Sequence, residues 1–295
     1  MKKFFVLLSL FFLLFSCTND TSKNENVIKI STSIIPIASI TNYIWWDYVE
    51  ATSIVPAWIS PHSFDLKPQD MVFISDSDLI IYMWLDHIDN FLEKVIQWKN
   101  NLIVWKSVEY ISAWKEVNNG DEHNHSIDPH IWTSAKNAKI IANEIFQKLV
   151  EIEPSLENTF KNNLESFKVE LDTLTNSFIN DNINKSSSSF IVFHDAYNYL
   201  FEDLWIDNTK KMVFQMSVIT DPTISELKDL YDDIKSNNTK IIFKEPQFVD
   251  SNLTVFAEQN NLEVLDLDPL WTNSNYKWYI ENYRNNLWNL ENIYE

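Results

Sequence analysis

The chain has 295 residues, of which 45% are apolar and 14% aromatic. That content can offset the entropy lost on folding, so we expect one large or two modest globular domains rather than a disordered chain. Its net charge of −19 makes a surface that repels phosphate backbones, which excludes nucleic acid as a default partner. The single cysteine excludes an internal disulfide framework and a cysteine-rich zinc cage.

The first 26 residues are typical of an exported, lipid-anchored protein. Met1–Lys3 is basic, and Phe4–Phe15 is an uncharged apolar run, shorter than the roughly 20 residues that span a bilayer. The run ends in Leu14-Phe15-Ser16-Cys17, which resembles the lipobox of bacterial lipoproteins, where the cysteine is lipid-modified and becomes the new N-terminus. We therefore expect a signal peptide over 1–16, a lipidated Cys17, and a flexible polar tether within 17–26.

Strand and helix patterns alternate from residue 27 to residue 133, which predicts an α/β lobe with a parallel sheet covered by helices. The predicted strands are Val27–Ile35, Ala51–Val55, Leu79–Tyr82 and Leu102–Val104, and the predicted helices are Ile40–Val49, Lys67–Ser75 and Phe91–Ile96.

A helical connector is predicted over 134–185, because apolar residues recur every three or four positions and no strand pattern interrupts them. The α/β alternation then resumes over 186–295, which predicts a second lobe. Its predicted strands are Ser189–His194, Lys210–Gln215, Lys240–Phe243 and Glu263–Leu267, and its predicted helices are Thr223–Ser236, Asp250–Asn260 and Asn275–Ile293. The expected architecture is thus two α/β lobes of similar size joined by a long helical connector.

Four polar residues lie at the ends of predicted strands or at a helix edge: His62, His130, His194 and Asp268. Ligands of open α/β sheets bind at the carboxyl ends of the strands. Three imidazoles and one carboxylate make a complete tetrahedral site for Zn²⁺. A lone histidine is more often a surface or core residue than a ligand, and we interpret His87 as a surface residue.

Five motifs resemble the zinc/manganese solute-binding lipoproteins of ABC importers, in order and over nearly the whole mature chain. They are Pro56-Ala-Trp-Ile-Ser-Pro-His62-Ser-Phe-Asp-Leu-Lys-Pro68, Asp128-Pro-His-Ile-Trp-Thr-Ser-Ala-Lys-Asn137, Phe193-His-Asp-Ala-Tyr-Asn-Tyr199, Ile242-Phe-Lys-Glu-Pro-Gln247 and Leu267-Asp-Pro-Leu270. The resemblance implies two lobes joined by a long rigid backbone helix, with the metal in the cleft between them. It also implies His62, His130, His194 and Asp268 as the ligands of the metal. Members that bind manganese carry a glutamate at the third position, so His194 favours Zn²⁺, with Mn²⁺ as the alternative.

The resemblance implies an extracytoplasmic, lipid-anchored monomer that captures Zn²⁺ and delivers it to an ABC permease powered by an ATPase subunit. No catalysis is implied, because four protein ligands leave no open coordination position for a reactive water. Three alternatives remain: a manganese or iron importer component, a surface adhesin with a structural metal, and a zinc hydrolase in which Asp195 or Asp268 acts as base.

A short acidic segment, Asp121-Glu122-His123-Asn124-His125, precedes the second histidine motif. Zinc-binding members of the resembled family often carry a longer histidine-rich loop there, thought to gather metal. Two interpretations stay open for Asp121, Glu122, His123 and His125: a solvated acidic loop and a weak accessory metal site. Glu245 and Gln247 are interpreted as structural rather than ligating.

The chain has one glycine and twelve tryptophans, where average usage predicts roughly twenty glycines. Several tryptophans occupy positions that are usually glycine in the resembled family, where the chain should turn: Trp45, Trp46, Trp58, Trp84, Trp114, Trp205 and Trp271. Our hypothesis is that most are glycines encoded by UGA in a lineage that reads this codon as glycine. Trp132 is the exception, because the family motif itself has tryptophan there.

Overall fold

The computed structural model describes residues 27–45, 47–85, 88–108, 110–111, 116–118, 121–123, 127–215, 221–248, 251–269, 275 and 277–294. The predicted signal peptide, Cys17 and the tether lie outside these ranges. None of the helices in the described part of the chain has the length and apolarity that a membrane span requires.

The first lobe is built from alternating strands and helices, followed by a hairpin. Its elements are β1 (Ile28–Thr32), α1 (Ile35–Trp45), β2 (Val49–Ser53), α2 (Pro68–Asp76), β3 (Leu79–Tyr82), β4 (Asn101–Ile103), β5 (Glu116–Asn118) and β6 (Asp121–His123).

Two long helices follow, and then a second α/β lobe. The elements are α3 (Ala135–Ile152), α4 (Glu157–Asn182), β7 (Phe190–Val192), α5 (Asn198–Asp203), β8 (Lys211–Val213), α6 (Ile224–Asn237), β9 (Ile241–Lys244), α7 (Ser251–Asn260), β10 (Glu263–Asp266) and α8 (Trp278–Leu290).

The two four-stranded sheets share one topology. The first has the strand order β2-β1-β3-β4 and the second β10-β9-β7-β8, and all neighbouring strands in both are parallel. In each lobe the first strand lies between the second and the third. The second strand is therefore added on one side of the first strand, and the third strand is added on the other side. Ligands bind at such switch points, beyond the carboxyl ends of the strands.

The inner strands of both sheets are largely buried on both faces, as strands of parallel sheets usually are. In β7, Phe190 and Val192 pack into the large central core, while Ile191 packs on the other face with residues of α6 and α7. In β3, Leu79 and Ile81 face the central core, and Ile80 faces a smaller outer cluster. The two-residue period of the strands therefore divides their side chains between two apolar layers.

The central core runs without interruption from the first lobe through the connector into the second. The 26-residue helix α4, about 39 Å long at the usual rise, packs against α1 of the first lobe and α8 of the second. At the start of α3, the Ser134 hydroxyl caps the helix by accepting a hydrogen bond from the Asn137 N–H. The two predicted lobes and the long helical backbone are confirmed.

Several predicted elements differ from the structure. Helix α1 begins at Ile35, five residues earlier than predicted, and the predicted helix Phe91–Ile96 is wrong: two single 3₁₀ turns, Asn90–Leu92 and Ile96–Trp98, stand there. Asp121–His123, interpreted as loop, is a strand paired antiparallel with Glu116–Asn118. The short helix α5 was not predicted.

Three of the tryptophans at positions that are usually glycine in the resembled family have left-handed backbone conformations: Trp58 (φ 69°), Trp84 (φ 55°) and Trp205 (φ 57°). Trp58 is the third residue of a turn in which the Ile59 N–H donates to the Pro56 carbonyl. A positive φ at that position is the mark of a type II turn, which favours glycine. All three indoles are exposed to solvent.

Trp45 lies at the end of α1, in a turn closed by the Tyr48 N–H and the Trp45 carbonyl. Its buried indole stacks on Phe160, and its N–H finds no partner in the described part of the chain. Trp46, Trp114 and Trp271 lie outside the described residues. The codon hypothesis stays a prediction, and sequencing the gene tests it: UGG codons at these positions would end it.

A buried carboxylate organises the loop after β3. Asp89 is fully buried and accepts hydrogen bonds from the Met83 N–H (2.6 Å) and the Leu85 N–H (2.9 Å), which flank Trp84. Burial raises the pKa of Asp89 from its ordinary 3.8 to about 6, although the backbone hydrogen bonds partly oppose this. The carboxylate fixes the loop at the carboxyl end of the first sheet.

We expect Asp89→Asn to lower the free energy of unfolding by about 1–3 kcal/mol, because an amide NH₂ would face a buried N–H. The raised pKa means that the folded protein binds a proton between about pH 6 and 4 where the unfolded chain does not. Native stability from this group therefore grows as pH falls and is lost as pH rises through about 6.

Urea denaturation of wild type and Asp89→Asn at pH 7 and pH 5 checks this linkage. The stability difference between them should be about 1 kcal/mol larger at pH 5. A difference that is constant, or smaller at pH 5, would contradict the assigned proton uptake.

Candidate metal centre

Three histidines reach the same point from separate loops. His62 lies in a 3₁₀ turn, Pro61–Ser63, after β2; His130 precedes a second 3₁₀ turn, Ile131–Thr133, ahead of α3; and His194 lies two residues after β7. His130 and His194 are buried and His62 is partly buried. The loops at the carboxyl ends of the two sheets thus meet between the lobes.

The ε nitrogens of the three imidazoles converge. His130 Nε2 lies 3.2 Å from His62 Nε2 and 3.3 Å from His194 Nε2. The three residues offer ligand atoms that all lie within 4.8 Å of one another. In a tetrahedral site with Zn–N bonds of 2.0–2.1 Å, ligand nitrogens are about 3.3 Å apart, which matches the spacing around His130.

Two of the imidazoles are held from behind by buried carboxylates. His130 Nδ1 lies 2.8 Å from Asp128 Oδ1, and His194 Nδ1 contacts Glu245 Oε1. Burial opposes the charge on Asp128, but its hydrogen bonds and the charge interaction with His130 outweigh burial and lower the pKa of its carboxyl. Each Nδ1 that donates to a carboxylate leaves an Nε2 lone pair. Such lone pairs about 3 Å apart repel unless a cation lies between them.

Asp268, the predicted fourth ligand, lies two residues after β10 and is buried. Its backbone is fixed by Asn286, whose Oδ1 accepts from the Asp268 N–H (2.9 Å) and whose Nδ2 donates to the Asp268 carbonyl (2.6 Å). Tyr197 has a pKa well above its ordinary value because of burial and, next, the charges of Glu245 and Asp268. The carboxylates of Asp268 and Glu245 therefore both lie near the buried hydroxyl of Tyr197.

The carboxylate of Asp268 is not part of the three-histidine group in the structure. Its role as the fourth ligand therefore stays a prediction.

The family model for ZnuA, the periplasmic component A of a zinc-uptake complex, matches residues 30–293. The chain belongs to this family. ZnuA-family proteins are substrate-binding components of ABC importers and not enzymes, so the zinc-hydrolase alternative is wrong.

Relatives of the ZnuA family resemble the chain over most of its length. The high-affinity zinc uptake system protein ZnuA of Haemophilus ducreyi is 24% identical over 85% of this chain and 86% of its own length. The manganese ABC transporter substrate-binding lipoprotein PsaA of Streptococcus pneumoniae is 25% identical over 90% of this chain and 88% of its own. A crystal structure of ZnuA superimposes with a TM-score of 0.78 and 25% identity, covering 91% of this chain and all of that one.

Trp132 links the loop that carries His130 to the loop that carries Asp268. Its buried indole N–H donates to the Pro269 carbonyl (2.7 Å), and its own carbonyl accepts from the Tyr279 hydroxyl (2.6 Å). Trp132 follows His130 by two residues, and Pro269 follows Asp268. This indole therefore joins the loops of two predicted ligands, which explains why tryptophan belongs at this position.

The remaining predicted site residues belong to the acidic segment 121–125. Asp121, Glu122 and His123 form β6 in the hairpin, and His125 lies outside the described residues. Their role as an accessory metal site stays a prediction. The contacts of Asp128 and Glu245 with the histidines were not predicted, although both residues lie in the quoted motifs. Asp128 directly precedes Pro129-His130, and Glu245 directly precedes Pro246.

Proposed function

We propose that this protein captures Zn²⁺ between its two lobes and delivers it to the permease of an ABC importer driven by an ATPase subunit. The convergence of three imidazoles, whose ligand atoms all lie within 4.8 Å of one another, carries the proposal. Membership of the ZnuA family supports it. His62, His130 and His194 supply three ligands, and Asp268 supplies the fourth.

Zinc is favoured over manganese by the donor set. Imidazole nitrogens suit Zn²⁺, whereas Mn²⁺ prefers carboxylate, carbonyl and water oxygens. Three of the four proposed donors are imidazoles. His194 stands at the third ligand position, where manganese-binding members of the resembled family carry a glutamate. The likeness to a manganese-binding lipoprotein, PsaA, makes Mn²⁺ the alternative cargo.

The site of action we propose is extracytoplasmic, with a lipid on Cys17 as the anchor. The lipobox-like residues 14–17 support this, as do relatives named as lipoproteins. The polar segment 18–26 would then let a monomeric binding protein reach its permease from the membrane surface.

Competition binding tests the proposed cargo. Metal-free protein, prepared by chelation, should take up one Zn²⁺ per chain in competition with a chromogenic chelator. Adding Mn²⁺ in large excess should displace little of it, because the imidazole set binds Zn²⁺ more tightly. Displacement of Zn²⁺ by an equal concentration of Mn²⁺ would assign manganese instead, and a failure to bind either ion would refute the proposal.

A further inference from the structure

We propose that Asp128 and Glu245 are positioning residues of the metal centre, which hold His130 and His194 in the tautomer that presents an Nε2 lone pair to the ion. The inference rests on the proposed function, since it concerns how that same site is made competent for a metal. Neither carboxylate is a proposed ligand; each acts through a histidine.

Glu245 is placed for this task by its position and burial. It directly follows β9, is 1% exposed, and uses both carboxylate oxygens. Oε1 contacts His194 Nδ1, while Oε2 accepts from Gln247 Nε2 at 2.7 Å. Because the Gln247 amide holds Oε2, the direction of Oε1 is fixed as well. Oε1 therefore orients the imidazole of His194 toward the imidazoles of His62 and His130.

Both carboxylate oxygens of Asp128 are also fixed by hydrogen bonds. Its Oδ1 accepts from both the backbone N–H and Nδ1 of His130, at 2.9 and 2.8 Å, and its Oδ2 accepts from Asn198 Nδ2 at 3.0 Å. Lys211 Nζ in turn contacts Asn198 and Asp195, the residue after His194. A partly buried polar network therefore connects the loops of the two histidines.

Carboxylate support changes what the imidazole can do. A neutral histidine has one N–H, and a carboxylate at Nδ1 draws it there, so Nε2 is free to bind a metal. Without the carboxylate, the N–H can move to Nε2, where it would point at the ion, and the ring can rotate. The negative charge behind the ring also makes Nε2 a stronger donor.

The tests are Glu245→Gln, Glu245→Ala, Asp128→Asn and Asp128→Ala in the full chain, with Glu263→Gln, an exposed carboxylate on β10, as the matched control. Zinc affinity is measured by chelator competition and the coordination geometry by the visible spectrum of the Co²⁺-loaded protein. We expect the alanine variants to bind zinc about 10–100-fold more weakly and the amide variants to fall between them and wild type, with altered Co²⁺ spectra. The control should match wild type.

Wild-type affinity and spectrum in the four variants would overturn the positioning role. Wild type that binds no metal would instead refute the proposed function, so the two failures are distinguishable. Nitrogen-15 NMR of the histidine rings in wild type keeps the inference testable if a variant misfolds. We expect His130 and His194 to carry the proton on Nδ1 in the zinc-loaded protein, and a proton on Nε2 of either would contradict the proposal.

Discussion

His130→Ala should remove most of the stabilisation of the protein by zinc. His130 Nε2 lies in the middle of the cluster, 3.2 Å from one partner nitrogen and 3.3 Å from the other, so its loss removes the atom that joins them. A four-ligand zinc site supplies about 10–16 kcal/mol, or about 3 kcal/mol a ligand. We expect Kd to rise on the order of 100-fold.

Thermal unfolding with and without zinc checks this expectation. A free zinc concentration of about 1,000 times Kd should stabilise wild type by about 4 kcal/mol, which for a chain of this size raises Tm by about 10 °C. At the same free zinc, His130→Ala should show less than half of that stabilisation. His87→Ala, at a histidine interpreted as surface and outside the described residues, is the matched control and should behave as wild type. An undiminished zinc shift in His130→Ala would show that the ion binds elsewhere.

Replacing Trp58, Trp84 and Trp205 together by glycine should stabilise the protein. A left-handed backbone costs a residue with a Cβ about 1–2 kcal/mol, and glycine avoids that cost while adding some entropy to the unfolded chain. We expect a net gain of about 1 kcal/mol at each position in urea denaturation.

Trp205 shows the physical reason most clearly. It follows the end of α5, where the Trp205 N–H donates to the Glu202 carbonyl and the Ile206 N–H to the Phe201 carbonyl. This is a Schellman motif, whose left-handed position is usually glycine. Asn238 and Asn261, which directly follow helices α6 and α7, also have a left-handed conformation, and asparagine tolerates it. Trp205→Asn should therefore stabilise as well.

Trp288→Gly is the matched control for the glycine series. Trp288 is equally exposed but lies inside α8, where glycine costs about 1 kcal/mol. We expect Trp288→Gly to destabilise the protein, whereas the triple glycine variant should be more stable than wild type. A triple variant less stable than wild type would mean that the three indoles contribute packing that outweighs their backbone strain, and would weaken the codon hypothesis.

The fold could be predicted where the pattern of apolar residues had a clear period. The strand Leu79–Tyr82 has the predicted bounds. Helices α3 and α4 occupy the connector predicted over 134–185, because each of them buries one face. Helix α1 was misplaced because it is buried almost all round, so its sequence has no polar face, and the start signal, Pro36 in its first turn, was not used. Short 3₁₀ turns have too few residues to show any period.

The candidate site could be predicted only in part. His62, His130 and His194 were found because each follows a strand or precedes a helix at a loop end, and the structure brings them together. Glu245 could not be recognised as a histidine partner, because it lies 51 positions from His194 and the two meet only through tertiary structure. Asp128 lies two residues before His130, but a local contact of this kind has no periodic signal. The fourth ligand, Asp268, depends on a loop whose backbone is fixed by Asn286, a contact that sequence patterns do not show.

X-ray absorption spectroscopy of the zinc-loaded protein tests the central claim most directly. We expect four light-atom ligands at about 2.0–2.1 Å with the outer-shell scattering of three imidazoles, and the loss of one imidazole in His62→Ala. A spectrum with one imidazole or none in the wild-type protein would contradict the account.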